Sequence, residues 1–407
     1  MRGDGNKIPG VLRRAGAIAL GMVAVAAAAS CGLLPSMGKA PEGASLARMQ
    51  ESPQYDRDQE RFVNELGHAN SSVTKIVAQA LSNDAQTRPE EPLPMDDSLA
   101  ERVRTLPADG LRVSWIGHST MLIEIDGYRV LTDPMFSERA SPLSWVGPLR
   151  FGPPALSIDE LPPIDAVLIS HDHYDHLDMD SVQALARRGT RFFVPLGVGA
   201  HLEYWGVPAE RIREMDWWEE ARVGELVLAC VPSRHFSGRG PFNRYSTLWA
   251  SWAILGPENR VYFSGDTSQT PDFLKIGKRY GPFDIAMIDS AAYNYNWADS
   301  HLGPEQAVDA FLMVRGKLMV PIHWGTFDLA MHAWTEPVER LRVAAAKKNV
   351  ALVIPQTGES VLASTEPTRE PWWPQVPWQT GEESPVVSSN LPAFEVPPPV
   401  APFNARP

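Results

Sequence analysis

His171-Asp172-His173-Tyr174-Asp175-His176 is the stretch on which the reading of this chain turns, since it packs three imidazoles and two carboxylates into six residues. Such groups are costly to bury without partners, and a purely structural strand end has no use for that density; a metal ion does. Residues 165–170, just upstream, form a nearly continuous apolar run, as expected of a buried strand that stops where it delivers ligands. His171 and His173 are two apart and point the same way if the backbone stays extended, so they can share one ion. Asp175 and His176 follow a tightening turn and can address a second ion nearby.

Working outward, short β-prone runs cover 111–116, 121–125 and 129–132, separated by Gly117-His118-Ser119 and by the hairpin signal Asp126-Gly127. Further strands are expected at 191–195, 225–231, 247–255, 260–264, 284–289, 317–322 and 351–355. Helices are expected at 179–187, 304–314 and 337–347, the last two opening on the Pro favoured in a first turn. This is an α/β pattern of two sheets with helices outside. Upstream, one helix is expected over 56–81, with Phe62, Leu66, Val73, Ile76, Val77 and Ala80 on its apolar side.

The first thirty residues read as a leader rather than as fold. Arg2, Lys7, Arg13 and Arg14 precede an uncharged apolar run over 15–29, too short to span a bilayer and suited to a signal-peptide core. Ala28-Ala29-Ser30-Cys31-Gly32 resembles a bacterial lipobox, so the expected product is an exported protein lipid-anchored on Cys31 and facing the periplasm, with the outer membrane slightly favoured. The alternative is an ordinary secretory signal with an incidental cysteine. The resulting division is 1–30 signal peptide, 31–108 tether and N-terminal helix, 109–365 hydrolase domain, and 366–407 a Pro-rich tail that is largely disordered, extended and mobile from Gly381.

Composition narrows the function classes. With 37 basic and 49 acidic residues the formal charge is -12, which argues against a nucleic-acid partner. Of the two cysteines, Cys230 lies in an apolar run and reads as a buried strand residue, so no disulfide framework is expected. The oligomeric state is left open.

The run H-x-H-x-D-H is the signature of the metallo-β-lactamase superfamily, and the chain resembles it. That resemblance implies an αβ/βα four-layer sandwich with two metals at one edge and further ligands from the ends of later strands. His235, Asp266 and His323 fill those positions. It implies that His171, His173 and His235 hold one ion, that Asp175, His176 and His323 hold the other, and that Asp266 bridges them. Imidazole and carboxylate donors without thiolate suit two Zn2+, with Fe or Mn as the alternatives. Two metals about 3.5–4 Å apart can hold a bridging hydroxide and polarise a carbonyl or phosphoryl oxygen.

The flanks are more specific. Trp115-Ile116-Gly117-His118-Ser119-Thr120, Leu131-Thr132-Asp133-Pro134, Gly147-Pro148-x-Arg150-Phe151 and Ile322-His323-Trp324-Gly325-Thr326-Phe327 resemble N-acyl-phosphatidylethanolamine phospholipase D and its bacterial relatives. What this implies is a phosphodiesterase acting on phospholipid, with Asp175 and His301 counted among its catalytic groups and His301 positioning or protonating the leaving group. His118 and Asp133 would orient ligands from behind. His332 is matched in the family without a task. Trp217, Trp218, Tyr293, Tyr295, Trp297 and Trp324 are candidates for an acyl-chain groove, with ordinary core as the other reading. The alternatives for the whole chain are a lactonase or other small-ester hydrolase, and a non-catalytic envelope protein that affects outer-membrane composition.

Overall fold

The fold is described from a computed structural model of the chain, covering residues 34–68 and 72–400. The leader and Cys31 lie outside the described residues. The chain enters along the domain surface, where the Pro35 carbonyl accepts the Trp205 indole N–H at 2.7 Å. Helix α1 (Gly43–Glu51) follows and buries Met49. A small hairpin, β1 (Tyr55–Asp56) and β2 (Arg61–Phe62), comes next, then α2 (Val73–Ser82) and α3 (Leu99–Arg102).

That hairpin replaces the first part of the single helix expected over 56–81. The Asp56 carboxylate accepts the backbone N–H groups of Asp58 and Gln59, closing a turn that competes with helix. Phe62 is then fully buried, a gain of roughly 1.5–3 kcal/mol against the few tenths per residue that helical propensity offers. Only the later half of the apolar pattern, with Ile76, Val77 and Ala80, is helical.

The first sheet holds β3 (Leu111–Gly117), β4 (Thr120–Ile125), β5 (Tyr128–Thr132), β6 (Ala166–Leu168), β7 (Phe192–Pro195) and β8 (Ile212–Met215), side by side in that order, with β15 (Ser360–Leu362) outside β3. The second runs β9 (Glu220–Val223), β10 (Leu226–Val231), β11 (Ser251–Leu255), β12 (Arg260–Phe263), β13 (Phe283–Asp289) and β14 (Gly316–Ile322). Side-chain alternation sends Val113, Trp115, Ile123 and Leu168 into one buried cluster with the second sheet, and Ile116, Leu122, Val167 and Ile169 into another. Helices α4 (Met179–Arg187) and α5 (Gly199–Tyr204) pack on that second cluster through Val182, Leu185 and Leu202. Helices α6 (Asp272–Arg279), α7 (Pro304–Met313) and α8 (Glu336–Lys348) contribute Phe273, Phe311 and Val338 to the first. The layers are therefore helix, sheet, sheet, helix, the αβ/βα sandwich expected.

Two flanking expectations differ. Residues 351–355 form only an isolated bridge, Met319 with Leu352, because this segment lies along the outer side of β14 and turns away. Between Gly381 and residue 400 the tail is held against the domain. Ser389 donates its N–H and Oγ–H to Asp299, at 2.7 and 2.6 Å, Ser384 gives its carbonyl to Arg340, and Phe394 and Val396 pack on the main core. Serines paired to buried acceptors and scattered apolar anchors hold a Pro-rich chain that composition alone reads as mobile.

Candidate metal centre

Strand ends deliver the site. β6 runs out at Leu168 and passes to His171; β10 leads to His235, β12 to Asp266, β13 ends on Asp289 and β14 leads to His323. Register puts these ends on one edge, since β12, β13 and β14 are parallel and Val231 of β10 lies opposite the first residue of β11. Three residues here hold left-handed backbone: His118 at φ 55°, Asp133 at 35° and His323 at 68°. Side chains other than Gly adopt that region at a cost, and such strain gathers at sites that need one direction of approach.

Among the described residues three groups of donors form, and two of them hold the residues expected as ligands. His171, His173, His235 and Asp266 offer ligand atoms that all lie within 4.8 Å of one another. The His173 Nδ1 atom stands 2.8 Å from His171 Nε2 and 3.3 Å from His235 Nε2, so three ring nitrogens converge on one point. The other is His118, Asp175, His176 and His323, and the third, Asp266, Asp289, His301 and His323, shares one residue with each. Asp175 Oδ2 lies 3.3 Å from both His176 Nε2 and His323 Nε2. Asp266 Oδ2 joins the sets, at 3.7 Å from His171 and His235 and 3.1 Å from His176 and His323.

The donors fit a cation. Asp266 Oδ1 is buried without a hydrogen-bond partner among the described residues, which is costly unless something else is coordinated there. Burial disfavours charge on every imidazole. It drives His171 and His235 well below the ordinary histidine value and His173 down to about 4. Burial also opposes charge on His176 and His323, yet the carboxylates around them outweigh it, raising His176 well above its usual value and His323 to about 10. Asp175 and Asp266 thus demand positive charge, which a proton or a metal ion can supply.

Behind the donors stands a bracing layer. Asp133 Oδ2 accepts from His176 Nδ1 at 2.7 Å, and its two oxygens take the Ser170 N–H and Oγ–H. His118 Nε2 meets Asp175 Oδ2 at 2.9 Å, and burial beside His323 pushes the His118 pKa down to about 3, so the ring is a neutral donor. Asp133 holds His176 through Nδ1, whereas His118 itself offers a donor atom to the group of Asp175, His176 and His323. Asp172 turns away from the donors and holds loops instead. Its Oδ1 accepts the Gly238 N–H at 2.6 Å and its Oδ2 the Thr247 hydroxyl at 3.0 Å.

His301 is brought to the centre, with its Nδ1 3.9 Å from Asp266 Oδ2. The sequence reading missed its partner: Asp289 Oδ2 lies 3.1 Å from His301 Nδ1 and also accepts the Thr267 N–H. Asp289 ends an apolar strand, and only the parallel register of β12 and β13 brings it to the strand end that delivers Asp266. Also missed were the Ser300 carbonyl, which meets His235 Nδ1 at 2.7 Å, and Ser170 Oγ, 2.9 Å from His171 Nδ1. Asp175 and His301 keep 13% and 12% side-chain exposure, which marks the open side of an otherwise buried site.

The aromatic groove does not form from the residues proposed for it. Trp217, Tyr293 and Trp324 are core, at 9%, 2% and 2% exposure, and Trp324 stacks on Trp115 while Tyr293 donates to Glu336. Trp218 packs on the core under Arg279. Trp217 and Trp297 spend their indole N–H groups on the Trp249 and Ala292 carbonyls, while Tyr295 stays exposed. His332 stacks on Tyr293 with centroids 4.5 Å apart, a packing role.

A family profile described as a β-lactamase superfamily domain matches residues 128–324. An uncharacterized protein of Mycobacterium tuberculosis is 50% identical over 302 residues, covering 73% of this chain and 80% of that one. The N-acyl-phosphatidylethanolamine-hydrolyzing phospholipase D 1 of Caenorhabditis elegans is 33% identical over 291 residues, covering 67% of this chain and 81% of that enzyme. Outer membrane protein RomA of Klebsiella pneumoniae is 37% identical over 101 residues, covering 25% of this chain and 76% of that one. With its donor sets at the sheet edge and these relatives, the chain belongs to the metallo-β-lactamase superfamily and is a metal-dependent hydrolase of that kind.

Proposed function

We propose that this hydrolase is a zinc-dependent phosphodiesterase of the phospholipase D type, releasing an N-acylethanolamine and phosphatidic acid from N-acyl-phosphatidylethanolamine. The observation that carries the reading is the placement of the Asp289–His301 pair beside Asp266, at the open side of the two donor sets. The Caenorhabditis elegans relative supports the choice of substrate. Two divalent cations in these donors would polarise a phosphoryl oxygen and make water nucleophilic at neutral pH.

The chain's own residues do the rest. Asp266 holds the two sets in register. Asp133 and His118 fix His176 and Asp175 against rotation, and the Ser300 carbonyl fixes His235. Asp289 accepts a hydrogen bond from the Nδ1–H of His301 and so leaves Nε2 as the ring atom that faces a substrate. In the reaction, oxygen from water joins phosphorus as one water proton passes to the free Nε2 of His301, the bond from phosphorus to the ethanolamine oxygen breaks, and Nε2 hands that proton on to the departing oxygen.

The envelope location on a lipidated Cys31 that the leader leads one to expect supports a phospholipid substrate, and RomA, by its name, is an outer membrane protein. Among the described residues no helix is long and apolar enough to cross a membrane. The test is hydrolysis of N-acyl-phosphatidylethanolamine, plain phosphatidylethanolamine and a panel of lactones by zinc-loaded protein, with His173→Ala as blank. Phosphatidic acid from the native protein alone is the expected result. Lactone or ester cleavage without lipid turnover would keep the hydrolase and remove the phospholipase assignment.

A further inference from the structure

The loop after β10 sets a guanidinium over the aromatic ring that packs on two imidazoles of the metal centre, and the chemistry above leaves it unused. Phe236 follows His235, and its ring centroid lies 4.5 Å from that of His173 and 4.7 Å from that of His235. The Arg244 guanidinium stands 4.2 Å from the Phe236 centroid and 5.0 Å from that of Tyr245. Arg61 reaches the same Tyr245 ring from β2, at 5.6 Å.

The loop is a built one. Gly238 has φ 139°, and a Cβ there would meet the Arg244 Cα at 3.1 Å and the Asn243 carbonyl at 3.2 Å, so only glycine lets the two arms close. The Asn243 side-chain oxygen accepts the N–H groups of Arg239 and Gly240, at 3.1 and 2.7 Å. Tyr245 holds φ 67°, donates its N–H to the Ser237 carbonyl at 2.9 Å, and accepts the Phe62 N–H at 3.0 Å. Arg244 is exposed, and no carboxylate pairs with it among the described residues. A chain of net charge -12 has acid to spare; an arginine stacked in place without any keeps its fork of N–H donors for another anion. The Phe236 ring separates it from the imidazoles, so that anion is not the group held by the metals.

We propose that Arg244 binds a second phosphate group, outside the metal centre, and so selects anionic phospholipid surfaces or doubly phosphorylated substrate. The proposal rests on the phospholipid reading above. A planar guanidinium matches phosphate oxygens in pairs. The phosphate comes either from a neighbouring headgroup in the surface or from the substrate molecule itself.

The experiment compares the full metal-loaded chain with Arg244→Gln, Arg244→Lys and Arg213→Gln, the last an exposed arginine on β8 at the far edge of the first sheet. Binding is measured to phosphatidylcholine vesicles with and without phosphatidylglycerol, and to glycerol bisphosphate and glycerol 3-phosphate in solution. R244Q is expected to weaken binding about fivefold, the equivalent of about 1 kcal/mol for one basic residue near an anionic surface. A loss confined to the phosphatidylglycerol vesicles assigns the neighbouring headgroup. A loss confined to the bisphosphate assigns the substrate. R244K keeps part of the affinity, and R213Q matches the native protein in every arm. Native affinity of R244Q in all arms, or an equal loss on glycerol 3-phosphate and on neutral vesicles, overturns the proposal. Lipid turnover is followed in parallel. Turnover without an Arg244 effect removes this inference alone, and an Arg244 effect without turnover removes the phospholipase reading alone.

Discussion

The two halves of the metal centre are built to different electrostatic plans. The His171, His173 and His235 half is three imidazoles whose pKa values burial pushes down, so its nitrogens are bare at neutral pH. The Asp175, His176 and His323 half contains a carboxylate, and its two imidazoles are pulled towards the protonated form by Asp266, Asp175 and, for His176, Asp133. Asp266 leans towards this second half, 3.1 Å against 3.7 Å from the rings on either side. An ion entering the first half displaces nothing. An ion entering the second must displace protons, and in return meets more negative charge.

The comparison breaks most completely at the shared residue. Asp266→Ala should lower metal content in both halves, read by elemental analysis, and take hydrolysis to the level of buffer. Loss from one half only would show that Asp266 does not join them. Acidity should separate the halves next. His176 and His323 have raised pKa values and carry protons at neutral pH; metal binding expels them, so affinity at the second half rises with pH and falls as pH drops. Each expelled proton contributes about tenfold per pH unit. The first half should hold its ion nearly unchanged down towards the value of about 4 at His173. Titration calorimetry in buffers of differing protonation enthalpy counts the protons, and equal release by both ions would contradict the plan.

Smaller effects come from the braces. Asp133→Ala leaves His176 free to turn and should weaken the second ion by about 10–100-fold, with the first unchanged. His118→Ala removes one hydrogen bond from a partly exposed carboxylate, and about tenfold at the same half is expected. An effect of His118→Ala as large as that of His176→Ala would instead make His118 a ligand.

How much of this was legible in sequence depended on how local the cause was. The run 171–176 declared itself because metal donors cannot be packed so densely for any other reason, and the strand leading into it was a plain apolar run. Helix α4 starts and stops where the sequence reading put it, since Asp178 caps it and its apolar pattern is regular. Asp289 was passed over because one carboxylate at a strand end carries no pattern; it acquires a role only when the parallel register of β12 and β13 sets it beside His301. The hairpin at β1 and β2 was hidden because Phe62 and Leu66 also fit a helical spacing, and the burial that chose between them involves the distant Tyr245 backbone. The Pro-rich tail was misjudged for the same reason, since its hydrogen bonds go to Asp299, Ala298 and Arg340, far away in sequence. Trp217, Tyr293 and Trp324 fell to core because composition does not say which face of a strand or turn a ring occupies.

The most direct test is diffraction from zinc-loaded crystals with data on either side of the zinc edge. The account predicts two anomalous peaks, one among His171, His173 and His235 and one among Asp175, His176 and His323, with Asp266 reaching both. A single peak, or a second peak ligated by His118 in place of His176, would contradict it.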